Sequence, residues 1–329
     1  MAKIGDGNGL GVDHAFQRES THGLRAENTY AGALSFLRLK YSKELEDVDL
    51  AITGIPYDLA VTNRPGTRFG PRGIRAASAQ LAWWANYPWE FDPFKRLSAV
   101  DYGDCEIDHG IPQEIPDQIE AHISKILDKG TSTVCMGGDH FITLPVLRAY
   151  AKKFGSMALV HFDAHSDTWS EDVNRIDHGT MFYHAIEEGL IVPERSVQVG
   201  IRTFNADKRG MTWLDANWVH ANGPEAAASE VKRIVGDHQA YLTFDIDCLD
   251  PSVAPGTGTP VVGGLSAYQA RTILCGLDGI DFKGMDLVEV APQYDVGEIT
   301  ALAGATLMFD YISLISKDLP VKGKHDCSE

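Results

Sequence analysis

Met157-Ala158-Leu159-Val160-His161-Phe162-Asp163-Ala164-His165-Ser166-Asp167 sets an apolar run directly before three ligand-grade side chains. In an extended strand successive side chains alternate faces, so Asp163, His165 and Asp167 are expected to point one way and Ala164 and Ser166 the other. Such a cluster is either a metal site or the turn chemistry with which Asp and Ser close strand ends. The choice depends on what the rest of the chain delivers to the same place.

Working outward, apolar segments read as strands at 50–54, 97–101, 132–136, 197–201, 241–244 and 285–288. Helical patterns fall at 115–129, 144–154, 180–188, 266–277 and 299–314, with another beginning near Pro71. About eight short strands separated by helices imply an α/β chain with a mainly parallel sheet and helices on both faces. In such folds the site lies beyond the carboxyl ends of the strands. The strand at 132–136 ends in Gly137-Gly138-Asp139-His140, and the strand at 241–244 in Asp245-Ile246-Asp247-Cys248-Leu249-Asp250-Pro251. The last strand delivers Glu289. Independent turns have no reason to collect their acids and imidazoles at one edge, so the metal reading gains.

His140, Asp163, His165, Asp167, Asp245 and Asp247 are too many ligands for one tetrahedral zinc, but they suit two hard or borderline divalent ions sharing carboxylates. Four Asp (−4) and two divalent ions (+4) cancel. A pair of ions lowers the pKa of a shared water, which makes a nucleophile at neutral pH. Glu289 is placed to hold a cationic substrate, the alternative being a salt-bridged structural acid. His178, on a loop before a helix, is placed to shuttle protons. His161 reads as a core residue facing away from its motif.

The chain has 29 Lys and Arg against 46 Asp and Glu, a net charge of −17. That balance argues against nucleic acid or anionic membrane as a partner. Five scattered cysteines suggest neither a disulfide framework nor a Cys-type zinc site. The start carries no signal-peptide core, and the apolar runs read as too short to span a bilayer, so a cytoplasmic protein is expected. Residues 1–35 read as a Gly-rich arm, 36–320 as one domain and 321–329 as a tail. Trp83, Trp84, Tyr87, Pro88 and Trp89 form an aromatic cluster that either lines a pocket or packs as a satellite cluster or subunit contact.

Gly137-Gly138-Asp139-His140, Asp163-Ala164-His165-Ser166-Asp167 and the Asp245-to-Pro251 stretch resemble, in order, spacing and ligand type, the three metal signatures of the ureohydrolase (arginase/agmatinase) family. The loop at 254–260 and Asp177-His178-Gly179-Thr180-Met181-Phe182 are most similar to its agmatinase members. The resemblance implies a three-layer α/β/α sandwich around an eight-stranded parallel sheet. It assigns His140 and Asp167 to one ion and His165 and Asp247 to the other, with Asp163 and Asp245 bridging. His178 matches the family's proton-shuttling histidine and Glu289 its guanidinium-binding acid, and the departing amine is expected to take its proton from Asp167 or via His178. Manganese is the implied metal, with nickel an alternative, and a homotrimer or homohexamer the implied assembly. The expected reaction converts a small cationic guanidino substrate into urea and an amine, agmatine giving putrescine. Trp169, bulky where a pocket wall is expected, leaves the tail open to guanidinobutyrate, guanidinopropionate, alkylguanidines or biguanides such as metformin. A non-catalytic subunit on the same fold is the alternative from another class.

Overall fold

The computed structural model describes residues 15, 18, 20–22, 28–83, 85–170 and 174–322. Eight strands form one sheet: β1 (Leu50–Ile55), β2 (Ala99–Asp104), β3 (Ser132–Gly137), β4 (Ala158–Phe162), β5 (Val197–Val199), β6 (Thr212–Leu214), β7 (Gln239–Asp245) and β8 (Asp281–Val288). Their order is β2-β1-β3-β8-β7-β4-β5-β6, and every neighbouring pair is parallel. Seven of these strands follow the apolar runs in the sequence. The eighth, β6, has only three residues, two of them half-buried, and so leaves almost no hydrophobic pattern.

Parallel strands need crossovers, and the crossover helices cover both faces. On one face α1 (Gly70–Ser78), α5 (Ala216–Asn222), α6 (Pro224–Val235), α7 (Ala267–Cys275) and α8 (Ile299–Ser316) pack on Val160, Phe162, Leu242, Phe244, Met285 and Leu287. Phe162 and Phe244 stack there with ring centroids 4.8 Å apart, a pair worth roughly 0.5–1.5 kcal/mol beyond its area. On the other face α2 (Ile115–Leu127), α3 (Thr143–Phe154) and α4 (Met181–Glu187) pack on Ile55, Cys135, Leu159, Tyr241 and Val288. Period-2 alternation along each strand thus feeds two cores, and the expected three-layer sandwich results. The second face is interrupted by the buried polar side chains His161, Thr243 and Asp286.

One expectation needs amending. At 18 residues and mean hydropathy 1.5, α8 is long and apolar enough to cross a membrane by composition alone. It serves as a core helix: most of it is buried, and its Asp310 is fully buried and paired with Arg271 at 2.7 Å. The same Asp310 accepts from Trp89 Nε1 at 3.0 Å, which ties part of the aromatic cluster to the core, while Tyr87 stays exposed and Trp84 lies outside the described residues. Part of the described arm lies against the body of the chain, for Tyr41 N donates to Ala15 O at 2.9 Å and the hydroxyls of Thr21 and Ser98 are 2.6 Å apart, whereas most of the stretch at 28–34, Tyr30 included, is exposed. Most of the rest of the expected arm, and the tail from 323 on, lie outside the described residues.

Candidate metal centre and its cavity

β3, β8, β7 and β4 are consecutive in the sheet, and their carboxyl ends deliver His140, Glu289, Asp245 with Asp247, and Asp163 with His165 and Asp167. Sheet order therefore brings together side chains up to 149 residues apart. After β3 the chain needs glycine at 138, because a Cβ there would lie 1.7 Å from Tyr57 O. Asp139 then closes the turn, accepting from Phe141 N at 3.1 Å and from Ala60 N at 2.9 Å, and His140 is presented.

The central motif converges differently from the alternation expected of a strand. β4 ends at Phe162, and the chain curls: Asp163 Oδ1 accepts from His165 N at 2.6 Å, and Asp167 sits in the left-handed region with φ 52°. Glu289 does the same at φ 65°. Non-glycine residues held there cost on the order of 1–3 kcal/mol and persist where surroundings over-determine them. Three side chains cannot face one point from an ideal strand end without such a curl, since alternate residues are spaced too far apart.

His140 Nδ1 lies 3.1 Å from Asp163 Oδ2, 3.0 Å from Asp167 Oδ2 and 3.3 Å from Asp245 Oδ2. His165 Nδ1 lies 3.3 Å from Asp163 Oδ1 and 3.1 Å from Asp247 Oδ2. Asp163 thus offers one oxygen to each histidine. None of the three carboxylates is aligned to accept a hydrogen bond from the buried His140 Nδ1. A nitrogen ringed by acceptors that it does not bond is the arrangement a cation resolves, and imidazole with shared carboxylates suits divalent ions. The six side chains fit a pair of divalent ions: His140, Asp163 and Asp167 converge on one point and Asp163, His165 and Asp247 on another, with Asp245 Oδ2 standing 3.3 Å from His140 Nδ1.

His161 proves to be part of this arrangement, contrary to the expectation that it faces away. It shares the parity of Asp163 in the strand, and its Nε2 donates to Asp163 Oδ2 at 2.8 Å. Its Nδ1 accepts from Gln198 Nε2 at 2.8 Å, and the Gln198 amide is fixed because the same nitrogen donates to Ser166 O at 2.7 Å. Burial pushes His161 down to about 4, so it is a permanently neutral donor.

Protons take the ions' part when metal is stripped. Burial alone would depress the His140 and His165 imidazoles, but the surrounding aspartates raise the first well above its ordinary value and the second to about 12. Burial and Asp163 push Asp167 up to about 7. A raised folded pKa means protons are held to higher pH, and a divalent ion must displace them. Burial and the neighbouring Asp247 and Asp163 also raise Asp245 well above the usual carboxylate range, so metal uptake by the chelator-treated protein at pH 7.5 is expected to release at least about two protons per chain, with more below pH 7 as Asp167 joins, and affinity should rise with pH. Calorimetry in buffers of different ionisation enthalpy measures the release; a value near zero would contradict the assignment.

His165, Asp167 and Asp245 open into a cavity of about 320 Å³ walled by Thr62, Trp169, Arg175, Asp177, His178, Gly179, Thr180 and Thr259. The Trp169 ring stands 6.3 Å from that of His165. Arg175 is paired with Asp177, whose other oxygen takes Gly179 N at 2.9 Å. Arg202 serves as an internal strut, donating to the carbonyls of Gly200, Asp247, Cys248, Leu249 and Val261. His178 Nδ1 donates to Glu289 Oε1 at 2.9 Å, and its Nε2 accepts from Thr62 N at 2.9 Å with Thr62 Oγ1 2.7 Å away. Burial lowers and Glu289 raises the His178 imidazole, with a net rise to about 9. Glu289 Oε1 also takes His140 N at 2.9 Å, whereas its buried Oε2 has no hydrogen-bond partner. Thr62 and Gln198 escape a reading of the sequence because only the register of loops and strands reveals their partners. The one available signal is a polar residue inside an apolar run, as in Val197-Gln198-Val199.

Residues 48–313 match the model of the arginase family. The chain is 54% identical over 305 residues to an agmatinase of Chromobacterium violaceum, covering 92% of this chain and 95% of that one. It is 50% identical over 301 residues to an agmatinase of Proteus mirabilis, covering 90% and 98%. Among solved structures, a hypothetical agmatinase from Burkholderia thailandensis superposes with a TM-score of 0.91 at 52% identity, covering 93% of this chain and 98% of that one. The proclavaminate amidino hydrolase of Streptomyces clavuligerus does so with 0.80 at 35%, covering 87% and 99%.

Proposed function

The chain belongs to the arginase family, and from that premise we propose that its cavity hydrolyses a linear guanidinium, agmatine, to urea and putrescine. The observation that carries this is Glu289 Oε2, a fully buried carboxylate oxygen without a partner in a residue hydrogen-bonded to His178, which itself lines the cavity. A guanidinium brings both the positive charge and the N–H donors that such an oxygen lacks.

His140, Asp163, Asp167 and Asp245 would hold one divalent ion, and Asp163, His165, Asp245 and Asp247 the other. Bound there, the pair supplies a water of lowered pKa as nucleophile. The chain's own side chains do the rest. Glu289 fixes the guanidinium plane and balances its charge, so the electrophilic carbon is held rather than sampled. As the C–O bond of urea forms and the bond from carbon to the tail nitrogen breaks, the protons lost from the water oxygen balance those gained by the departing amine. His178 is placed to supply the amine's proton. The Thr62 N–H that donates to Nε2 at 2.9 Å favours the neutral ring there, while Thr62 Oγ1 can turn to accept when Nε2 takes a proton, so the imidazolium forms against one opposing donor and is disposed to give its proton up.

An amine tail fits the wall better than a carboxylate. Among the described wall residues the one guanidinium, Arg175, is paired with Asp177, and Trp169 offers an aromatic face to an alkyl chain and its ammonium. Manganese as the working metal, a homotrimer or homohexamer, and a cytoplasmic setting are proposed on the family likeness and the acidic, disulfide-poor composition. The test is urea release by Mn²⁺- and Ni²⁺-loaded protein across agmatine, 4-guanidinobutyrate, 3-guanidinopropionate, arginine and metformin. Agmatine with Mn²⁺ is expected to give the highest kcat/KM. Preference for another compound overturns the substrate and keeps the chemistry, while failure of all five at two ions per chain overturns the chemistry.

A further inference from the structure

Asp286 is a fully buried carboxylate in the middle of β8, and no Lys or Arg among the described residues pairs with it. Its partners are hydroxyls. Asp286 Oδ2 accepts from Thr143 Oγ1 and from Tyr241 OH, each at 3.0 Å, and Oδ1 accepts from Thr243 Oγ1 at 2.5 Å. Thr243 is its register partner on β7, so the contact is built into adjacent parallel strands. The Thr243 oxygen lies in turn 2.8 Å from His140 Nε2.

The direction of this chain follows from its terminus. An ionised carboxylate accepts only, so the Thr243 proton lies on the Asp286 side and the Thr243 oxygen is left to accept. His140 Nε2 must then carry a proton, and Nδ1 is the nitrogen left to face Asp163, Asp167 and Asp245. Packing holds the ring in that pose, with Phe182 edge-on at 5.4 Å and His161 at 5.1 Å. Resting on the reading of a two-ion centre, we infer that Asp286, acting through Thr243, is a positioning residue that fixes the tautomer and orientation of His140 and thereby the affinity of the ion on its side. A carboxylate that merely tied three hydroxyls together would not require the third to stand against a ligand histidine.

Thr243→Val keeps the shape and deletes the link, leaving Asp286 with Thr143 and Tyr241. Mn²⁺ titration by calorimetry and EPR on the whole protein should show one of two ions bound about 10–100-fold more weakly. At sub-saturating Mn²⁺ an uncoupled Mn²⁺ spectrum should then replace part of the exchange-coupled one. Thr243→Ser should restore wild-type binding, which a loss of packing would not. If Thr243→Val folds poorly, Asp286→Asn carries the test. Its amide would donate to Thr243, turn that hydroxyl toward Nε2 and favour the Nδ1–H form, so affinity for one ion should fall in a protein with unchanged circular dichroism. Wild-type affinity for both ions in a folded Thr243→Val or Asp286→Asn variant would overturn the inference. Fewer than two ions in the wild-type protein would overturn the two-ion reading itself, a different result from the same titration.

Discussion

Replacing Glu289 by glutamine is expected to leave a folded protein that takes up both divalent ions yet loses urea release from agmatine by roughly two to three and a half powers of ten in kcat/KM. The amide is isosteric, and its oxygen can still accept from His140 N and His178 Nδ1 as Oε1 does at 2.9 Å in each case. What changes is the other position. Where Oε2 stands buried and without a partner, glutamine places an N–H₂ group, so donors meet the donors of the guanidinium and the substrate's charge is left uncompensated. Removing one member of a buried charge pair costs about 3–5 kcal/mol, and about 1.4 kcal/mol is one power of ten. The charge is present in bound substrate and in the transition state alike, so the loss should appear mainly as a raised KM, with kcat changed far less. Steady-state kinetics with an ion count on the same sample checks this. A variant within tenfold of wild type would show that Glu289 does not face the substrate.

Strand ends and ligand types could be read from the sequence because each left a local signal. An apolar run stops and an acid or histidine follows, at His140, Asp163, Asp245 and Glu289. Sheet order could not be read in this way, and it is the adjacency of β3, β8, β7 and β4 that makes four such ends one site. The supports of the site were the least legible. Gln198, Thr243 and Asp286 sit inside strands, where a lone polar residue signals nothing until its cross-strand partner is known. His161 shares parity with Asp163, yet a histidine in an apolar run resembles a core residue, and that likeness hides its place beside the ligands. The curl at Asp167 carries no glycine to announce its left-handed backbone. Functional constraint holds it there against local preference, and a reading from local preference fails at such a position.

Asp163→Asn should be the most damaging single change, because two independent contacts dictate an acceptor at both of its oxygens. His165 N donates to Oδ1 at 2.6 Å, and a backbone amide cannot turn away. His161 Nε2 donates to Oδ2 at 2.8 Å, and that tautomer is fixed through Gln198 by the carbonyl of Ser166. An asparagine has one acceptor and one donor end, so either orientation sets N–H against N–H in a fully buried place, at a cost of about 1–3 kcal/mol. The same donor end also points at one of the two histidine nitrogens that the carboxylate serves, His140 Nδ1 or His165 Nδ1, and no divalent ion accepts an N–H as a ligand. Because Asp163 belongs to both converging groups and would share the bridging position only with Asp245, loss at either end uncouples the pair. Metal analysis should find at most about one ion per chain, EPR of the Mn²⁺ form should lack the exchange-coupled signal, and urea release should fall by at least about four powers of ten, consistent with the non-additive loss seen when a catalytic unit is broken. Two ions per chain with a coupled spectrum would mean that the shared position belongs to another carboxylate, and Asp245 would be the residue to substitute next.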